Sequence, residues 1–214
     1  MITYTELVTP IANNLEISTT DTERISRLNI VSNLNLVQLE LLNILPKEYL
    51  SEAMKTVTFN VTNAQPYYQF PSSYIRFHKL WIDYDNPITA ANQGREAYEY
   101  DPAQHFRPID ELSRKLYPMV DLQVERGFRI SPIPDADVTN GFALRFVYQL
   151  PDISTVQPSL LLSRFKGLLI DGTTARSAAT DNYRADLAKY HGDLYMNALK
   201  ALMPQQGENK PKRK

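Results

Sequence analysis

The spacing of apolar residues changes twice along this chain, and this change restricts the fold more than any other feature. Near both ends apolar residues recur every three or four positions, as on a helix, whereas in the middle they alternate with polar residues, as in a strand. We predict helices over residues 3–15, 20–45, 158–180 and 182–203, and a β-rich insertion over residues 55–150. This order predicts an α+β fold in which N- and C-terminal helices pack as a bundle and an antiparallel meander is inserted between them.

Capping boxes predict the starts of the first two helices. Two residue pairs have the spacing at which each side chain accepts a hydrogen bond from the other residue's backbone N–H: Thr3 with Glu6, and Thr20 with Glu23. Pro10 is expected to bend the first helix or to keep it short. The second helix carries four asparagines, which we interpret as a solvated polar face; the alternative is hydrogen bonding at a subunit contact. They are Asn29, Asn33, Asn35 and Asn43.

The two C-terminal helices follow the last predicted strand, 141–150. Pro158 is expected at the first helical position, where its missing N–H costs nothing. Small residues over 173–179 would let another backbone approach this helix closely. The last helix is predicted to bury one apolar stripe and to leave its charged residues in water. The stripe consists of Tyr183, Leu187, Tyr190, Leu194, Ala198 and Leu202.

Composition restricts both the domain organisation and the possible partners. The 214 residues are 43% hydrophobic, enough for one domain over residues 1–203, followed by a flexible basic tail at 204–214. The net charge of −1 argues against a broad basic surface that grips nucleic acid. The absence of cysteine excludes disulfides and thiolate chemistry. No apolar run is long enough for a membrane span, and we expect a soluble chain without a membrane partner.

No motif in the sequence predicts catalysis, so we expect no enzyme, catalytic residue, cofactor or metal. The histidines His78, His105 and His191 lack the spacing of metal ligands, and we interpret them as structural. Two pairs of loop aspartates, Asp83 with Asp85 and Asp135 with Asp137, are interpreted as turn formers. The alternative is a cation site, as in a metal-dependent nuclease.

An aromatic cluster and the basic tail leave further alternatives. The cluster Tyr67, Tyr68, Phe70, Tyr74, Phe77 and Trp81 is interpreted as sheet core or subunit interface; the alternative is base stacking in a nucleic-acid-binding module. The tail cations are Lys210, Lys212, Arg213 and Lys214. They could serve solubility alone, order on an acidic groove of a partner, or contact nucleic acid weakly and in a salt-sensitive way.

Several segments together resemble the head-to-tail connector (adaptor) proteins of tailed bacteriophages. They are FPSSYIR at 70–76, FRISPIP at 128–134, RFVYQLP at 145–151 and the apolar SLLLSRFKGLLIDG at 159–172. The resemblance extends over nearly the whole chain, including the N-terminal helices, although the polar stretch 85–107 has no matching counterpart.

The resemblance implies a structural virion protein of the neck, between capsid and tail, that is made in the host cytoplasm. Such adaptors form a ring of their own copies, commonly twelve, beneath the portal protein. The ring extends the DNA channel, through which DNA passes without specific binding, and carries tail proteins such as a tail tube or nozzle. A tail completion or stopper protein, bound below the adaptor ring, is the alternative. Portal contact is implied for Leu199, Leu202, Met203, Lys210, Lys212, Arg213 and Lys214.

Overall fold

The computed structural model describes residues 1–17, 27–99, 118–122, 126–180 and 184–203. The chain divides into two compact units, which we call the helical unit (Met1–Ala53 with Gln149–Lys214) and the β unit (Met54–Tyr148). The described helices are α1 (Tyr4–Asn14), α2 (Arg27–Ile44), α3 (Lys166–Ala178) and α4 (Ala185–Leu202). Helices together with largely antiparallel sheets confirm the α+β fold class. Among the described residues, no helix has both the length and the apolar character that crossing a bilayer requires.

The first helix begins where its capping box predicts. The Thr3 N–H donates to Glu6 Oε2 at 2.8 Å, and the Glu6 N–H donates to Thr3 Oγ1 at 3.3 Å. Pro10 lies inside α1, which continues to Asn14. The helix buries Leu7 and Ile11 completely, so packing holds it together despite the backbone hydrogen bond that proline removes. The second capping box, Thr20 with Glu23, lies outside the described residues.

The third helix starts later than predicted, because residues 158–162 are used for a different contact. Ile2 and Ser159 form an antiparallel bridge, with N–H···O distances of 3.1 Å and 2.9 Å, and Ser159 is fully buried. One 3₁₀ turn at Ser163–Phe165 then leads into α3. The expectation of a helix over 158–180 with Pro158 at its first position is therefore wrong. The backbone of this segment is satisfied by a neighbouring strand-like segment, which local apolar spacing does not report.

Helix α3 contacts α1, α2 and α4, and small residues make the closest of these contacts possible. A Cβ added to Gly172 would lie 3.0 Å from the ring carbons Cδ2 and Cε2 of Tyr195 and 3.0 Å from Val37 Cγ1. Thr173, Thr174 and nearby small residues are buried in the same helix. The atoms that approach Gly172 belong to side chains, so the expected approach of another backbone to residues 173–179 stays a prediction.

The last helix is rotated relative to the prediction. Its buried residues are His191, Tyr195 and Leu199, whereas Tyr190 is 60% exposed and Leu194 is 38% exposed. The stripe that contains Leu187, Tyr190, Leu194 and Ala198 therefore does not face the core. His191 Nδ1 lies 2.8 Å from Asp171 Oδ1 on α3, and this contact, with Tyr195 against Gly172, fixes which side of α4 faces inward.

The β unit contains two four-stranded sheets that share one core. The strands are β1 (Met54–Val61), β2 (Tyr67–Gln69), β3 (Tyr74–Ile82), β4 (Arg95–Glu96), β5 (Tyr98–Glu99), β6 (Met119–Asp121), β7 (Gly127–Ser131) and β8 (Val138–Tyr148). The strand orders of the two sheets are β1-β8-β3-β4 and β2-β7-β6-β5, antiparallel except for the parallel pair β5–β6. The rings of Phe128 and Phe142 make a T-shaped contact with centroids 5.6 Å apart, which joins β7 of one sheet to β8 of the other.

The expectation of a meander is wrong, because β8 lies between β1 and β3. This strand has buried residues on both faces, among them Phe142 and Ala143, so a central position suits it. It also begins before the predicted turn at Asn140–Gly141. Asn140 has a φ of +52°, and the pairing of β1 with β8 shifts register at this point, so the Asn-Gly pair marks a bulge instead of a loop end.

Candidate assembly surfaces

The residues implied in portal contact differ in their accessibility. Leu199 is only 3% exposed and packs inside the helical unit, and Leu202 is half-buried. Met203 follows the last turn of α4, where its N–H donates to the Leu199 carbonyl at 3.1 Å, and its side chain is 40% exposed. Lys210, Lys212, Arg213 and Lys214 lie outside the described residues. In the described part of the set, Met203 is the residue most open to a partner.

Among the loop carboxylates, Asp83 acts as a turn former, as expected. Asp83 Oδ1 accepts the N–H groups of Asp85 and Asn86, each at 2.9 Å, and Oδ2 accepts Asn92 Nδ2 at 2.8 Å. Burial acts to raise the pKa of Asp83, but these hydrogen bonds and Arg95 outweigh it and hold the pKa below its ordinary value. Asp137 instead accepts the N–H of Asn63, which lies in another loop, at 2.7 Å. Within the described ranges no three His, Asp or Glu side chains come together as a metal site.

The aromatic cluster belongs mainly to the core of the β unit. Phe70 stacks on Tyr74 with ring centroids 3.8 Å apart, and Tyr68 stacks on Phe128 at 5.8 Å. Burial raises the pKa of Tyr74 to about 12. The sheet-core interpretation is therefore confirmed for these rings. Tyr67 differs from them: it is 51% exposed, and the guanidinium carbon of Arg129 lies 5.5 Å from its ring centroid.

Polar pairs tie the helices of the helical unit together. Asn33 Nδ2 donates to Ser177 Oγ at 3.0 Å, and Arg176 pairs with Glu40 at 2.8 Å, so α2 is joined to α3 twice. His191, which is buried, pairs with Asp171 between α3 and α4, and its structural role is confirmed. His105 lies outside the described residues, and His78 lies in β3.

The asparagines of α2 are not a simple solvated face. Asn35 Oδ1 accepts the Ile153 N–H at 2.7 Å, and Asn35 Nδ2 donates to the Ile153 carbonyl at 3.4 Å. Gln38 Nε2 donates to the Pro151 carbonyl at 3.1 Å, while Ser159 Oγ donates to Gln38 Oε1 at 2.9 Å. The interpretation of Asn33 and Asn35 as solvated is wrong, since their partners lie within the same unit. Pairing with a segment more than a hundred residues away leaves no local signal in the sequence.

In the described part of the helical unit, two surfaces present exposed apolar side chains. The first, which we call the α4 row, consists of Leu187, Tyr190, Leu194 and Ala198 on the side of α4 that does not face α3. The second, the α2 groove, has a volume of about 450 Å³. Its lining combines five apolar with five polar residues: Val31, Leu36, Leu39, Leu42 and Leu150 with Ser32, Asn35, Gln38, Gln149 and Asp152. Leu36 is 45% exposed in this groove.

Comparison with known families gives one match over nearly the full length. The model of a family described as SU10 adaptor protein matches residues 2–214. The match therefore includes both the helical unit and the β unit. No curated protein matches the chain.

Proposed function

Because this chain belongs to the SU10 adaptor protein family of bacteriophages, we propose that it is a structural subunit of the virion neck. Copies of the chain form a ring under the portal protein. The ring extends the DNA channel and provides the platform to which tail proteins attach. The observation that carries this proposal is the family match over residues 2–214.

The open surfaces of the helical unit support a ring. Head-to-tail assembly needs two unlike contact surfaces on each copy, because a single self-complementary patch gives closed pairs. The α4 row and the α2 groove each present exposed apolar side chains, and they are carried by different helices. Each copy therefore offers one surface to each of two neighbours.

The charge of the chain suits a conduit. Each phosphate that a basic side chain neutralises adds salt-dependent affinity, which would hold DNA in place. The chain has 23 Lys and Arg against 24 Asp and Glu, a net charge of −1. We therefore expect DNA to pass through the ring without being bound specifically.

Portal attachment is assigned to Met203 and the tail 204–214, since Leu199 is buried. Removing residues 204–214 is expected to abolish binding to purified portal rings while the melting temperature stays unchanged. A matched control keeps the length of the tail but changes Lys210, Lys212, Arg213 and Lys214 to Gln, which separates the role of charge from that of the segment itself. A truncated chain that still saturates portal rings would contradict this assignment.

Imaging tests the function as a whole. The purified chain is mixed with the portal protein of the same phage and examined by electron microscopy, and neck particles are examined in parallel. We expect an added ring directly below the portal. Density that lies one layer lower, bound to another ring, would identify a tail completion or stopper protein instead. A neck that lacks this chain would refute the proposal.

A further inference from the structure

We infer that neighbouring copies join by seating the α4 row of one copy in the α2 groove of the next. This inference rests on the proposed ring and names its contact. The partner is a second copy of this chain, and the contact is helix against helix.

The α4 row is not explained by the fold of a single copy. The inward side of α4 already has its contacts, through His191, Tyr195 and Leu199. The exposed surface of such a helix is ordinarily polar, and opposite the inward side α4 does expose Asp186, Asp193 and Lys200. On the flank between these two sides, however, it carries Tyr190, which is 60% exposed, and Leu194, which is 38% exposed. Apolar residues at this helical spacing form a ridge of the kind that packs into a groove on another helix.

The lengths of the two surfaces agree. From Leu187 to Ala198 the row spans eleven rises, or about 16 Å at the rise of a helix. The α2 part of the groove extends from Val31 to Leu42, or about 16 Å. The rim of the groove adds Asp152 and Gln149, both exposed, as hydrogen-bond acceptors. Tyr190 brings a hydroxyl donor on an apolar ring, and such a side chain suits a groove in which leucines alternate with polar groups.

Row and groove lie on different sides of the helical unit. Val37 faces α3 and α4: its Cγ1 and the Tyr195 ring would both lie 3.0 Å from a Cβ added to Gly172. Leu39 follows two residues later and therefore points about 200° further round α2, away from that contact. A contact between copies through these two surfaces is consequently head-to-tail, as ring closure requires.

The area of the contact predicts how assembly behaves. Helix α4 has 18 residues, which makes it about 27 Å long and about 10 Å wide. A strip of that length and width covers roughly 270 Å², against about 800 Å² per partner in a standard stable interface. A single contact is thus weak, whereas a closed ring gives every copy two. We expect a monomer in dilute solution and cooperative assembly on the portal.

Cysteine cross-linking tests the contact directly, because the chain contains no cysteine. The full-length chain with Leu36→Cys and Leu194→Cys is assembled on purified portal rings and then oxidised. We expect a ladder of disulfide-linked oligomers on a non-reducing gel. The matched control pairs Leu36→Cys with Met196→Cys, since Met196 is exposed on the opposite side of α4 and should give no ladder.

The other outcomes of cross-linking each have a defined meaning. Dimers from Leu194→Cys alone would show a row-to-row contact and overturn the inference. No ladder from the double variant, under conditions in which the unmodified chain fills portal rings, would overturn it while leaving the proposed function intact. Failure of the unmodified chain to join the portal at all would overturn both.

A charge exchange gives an independent measurement. Leu36→Glu and Leu194→Lys are each expected to lower the assembled fraction at least about tenfold, because each places a charge in an apolar contact. The double variant is expected to recover assembly, because the glutamate of one copy then meets the lysine of the next. Circular dichroism and melting temperature verify that each variant is folded. A double variant as defective as the two single variants would contradict the contact.

Discussion

Two glycines of the helical unit provide a sharp test of the packing. Gly172 lies in α3 and Gly192 in α4, each inside a helix. Changing either to alanine restricts the unfolded chain and improves helix propensity, which is worth about 0.5–1 kcal/mol. The surroundings differ, because a Cβ on Gly192 meets Ala175 Cβ at an ordinary 4.0 Å, whereas a Cβ on Gly172 lies 3.0 Å from the Tyr195 ring and from Val37.

The two substitutions are therefore expected to have opposite signs. Gly192→Ala should raise the free energy of unfolding by about 0.5–1 kcal/mol. Gly172→Ala gains the same amount from helix propensity but forces two packed helices apart, at a cost of about 1–3 kcal/mol, and its net effect should be a loss of up to about 2 kcal/mol. Tyr195 is only 7% exposed, so its ring has little space in which to move away.

Urea unfolding followed by circular dichroism at 222 nm measures both changes. In a chain of this size, 1 kcal/mol corresponds to about 2–4 °C in melting temperature, so thermal scans give a second measurement. If Gly172→Ala stabilises the chain as much as Gly192→Ala does, the close contact of α3 with α4 and α2 is not present as described.

Two further outcomes concern hydrogen bonds. Ser159→Ala should lower the free energy of unfolding by about 1–3 kcal/mol, because the buried side-chain oxygen of Gln38 then loses its donor. Urea unfolding measures this change, and an unchanged midpoint would contradict the pairing. The N–H and hydroxyl of Thr3 lower the pKa of Glu6 from its ordinary value of 4.5, so this capping box stabilises the fold above pH 4.5 and its contribution disappears as the pH falls through the lowered pKa. Thr3→Ala should remove part of that pH dependence, and an unaltered difference in stability between pH 6 and pH 3 would show that the capping box does not contribute to it.

Local signals in the sequence predicted the structure correctly where the hydrogen bonds of a segment form within the segment itself. The capping box of α1 lies within four residues, and both its hydrogen bonds form. The change of period likewise marked the β-rich region, because alternation is a property of each strand alone. Apolar spacing in the last strand was correctly interpreted as strand, although it did not reveal that β8 lies in the centre of its sheet.

Signals failed where a distant partner decides the structure. Residues 158–162 look helical by their leucines, but Ser159 pairs instead with Ile2 and Gln38, which are more than a hundred residues away. Helix α4 has apolar residues on more than one side, so periodicity alone could not choose the buried stripe. That choice depends on His191 meeting Asp171, a pairing that needs α3 to be in place first.

The contacts that orient α4 also determine where its outward row points. A helix that slipped by one residue against α3 would turn by about 100°, which would carry Tyr190 and Leu194 away from the side they now occupy. The His191–Asp171 pair and the close fit of Tyr195 on Gly172 oppose such a slip, because neither contact survives it. Gly172→Ala should consequently impair ring assembly more than Gly192→Ala does, even though neither residue belongs to the α4 row. The small and polar residues between α3 and α4 therefore set the register of the two helices, and this register determines both the fold of the helical unit and its proposed assembly.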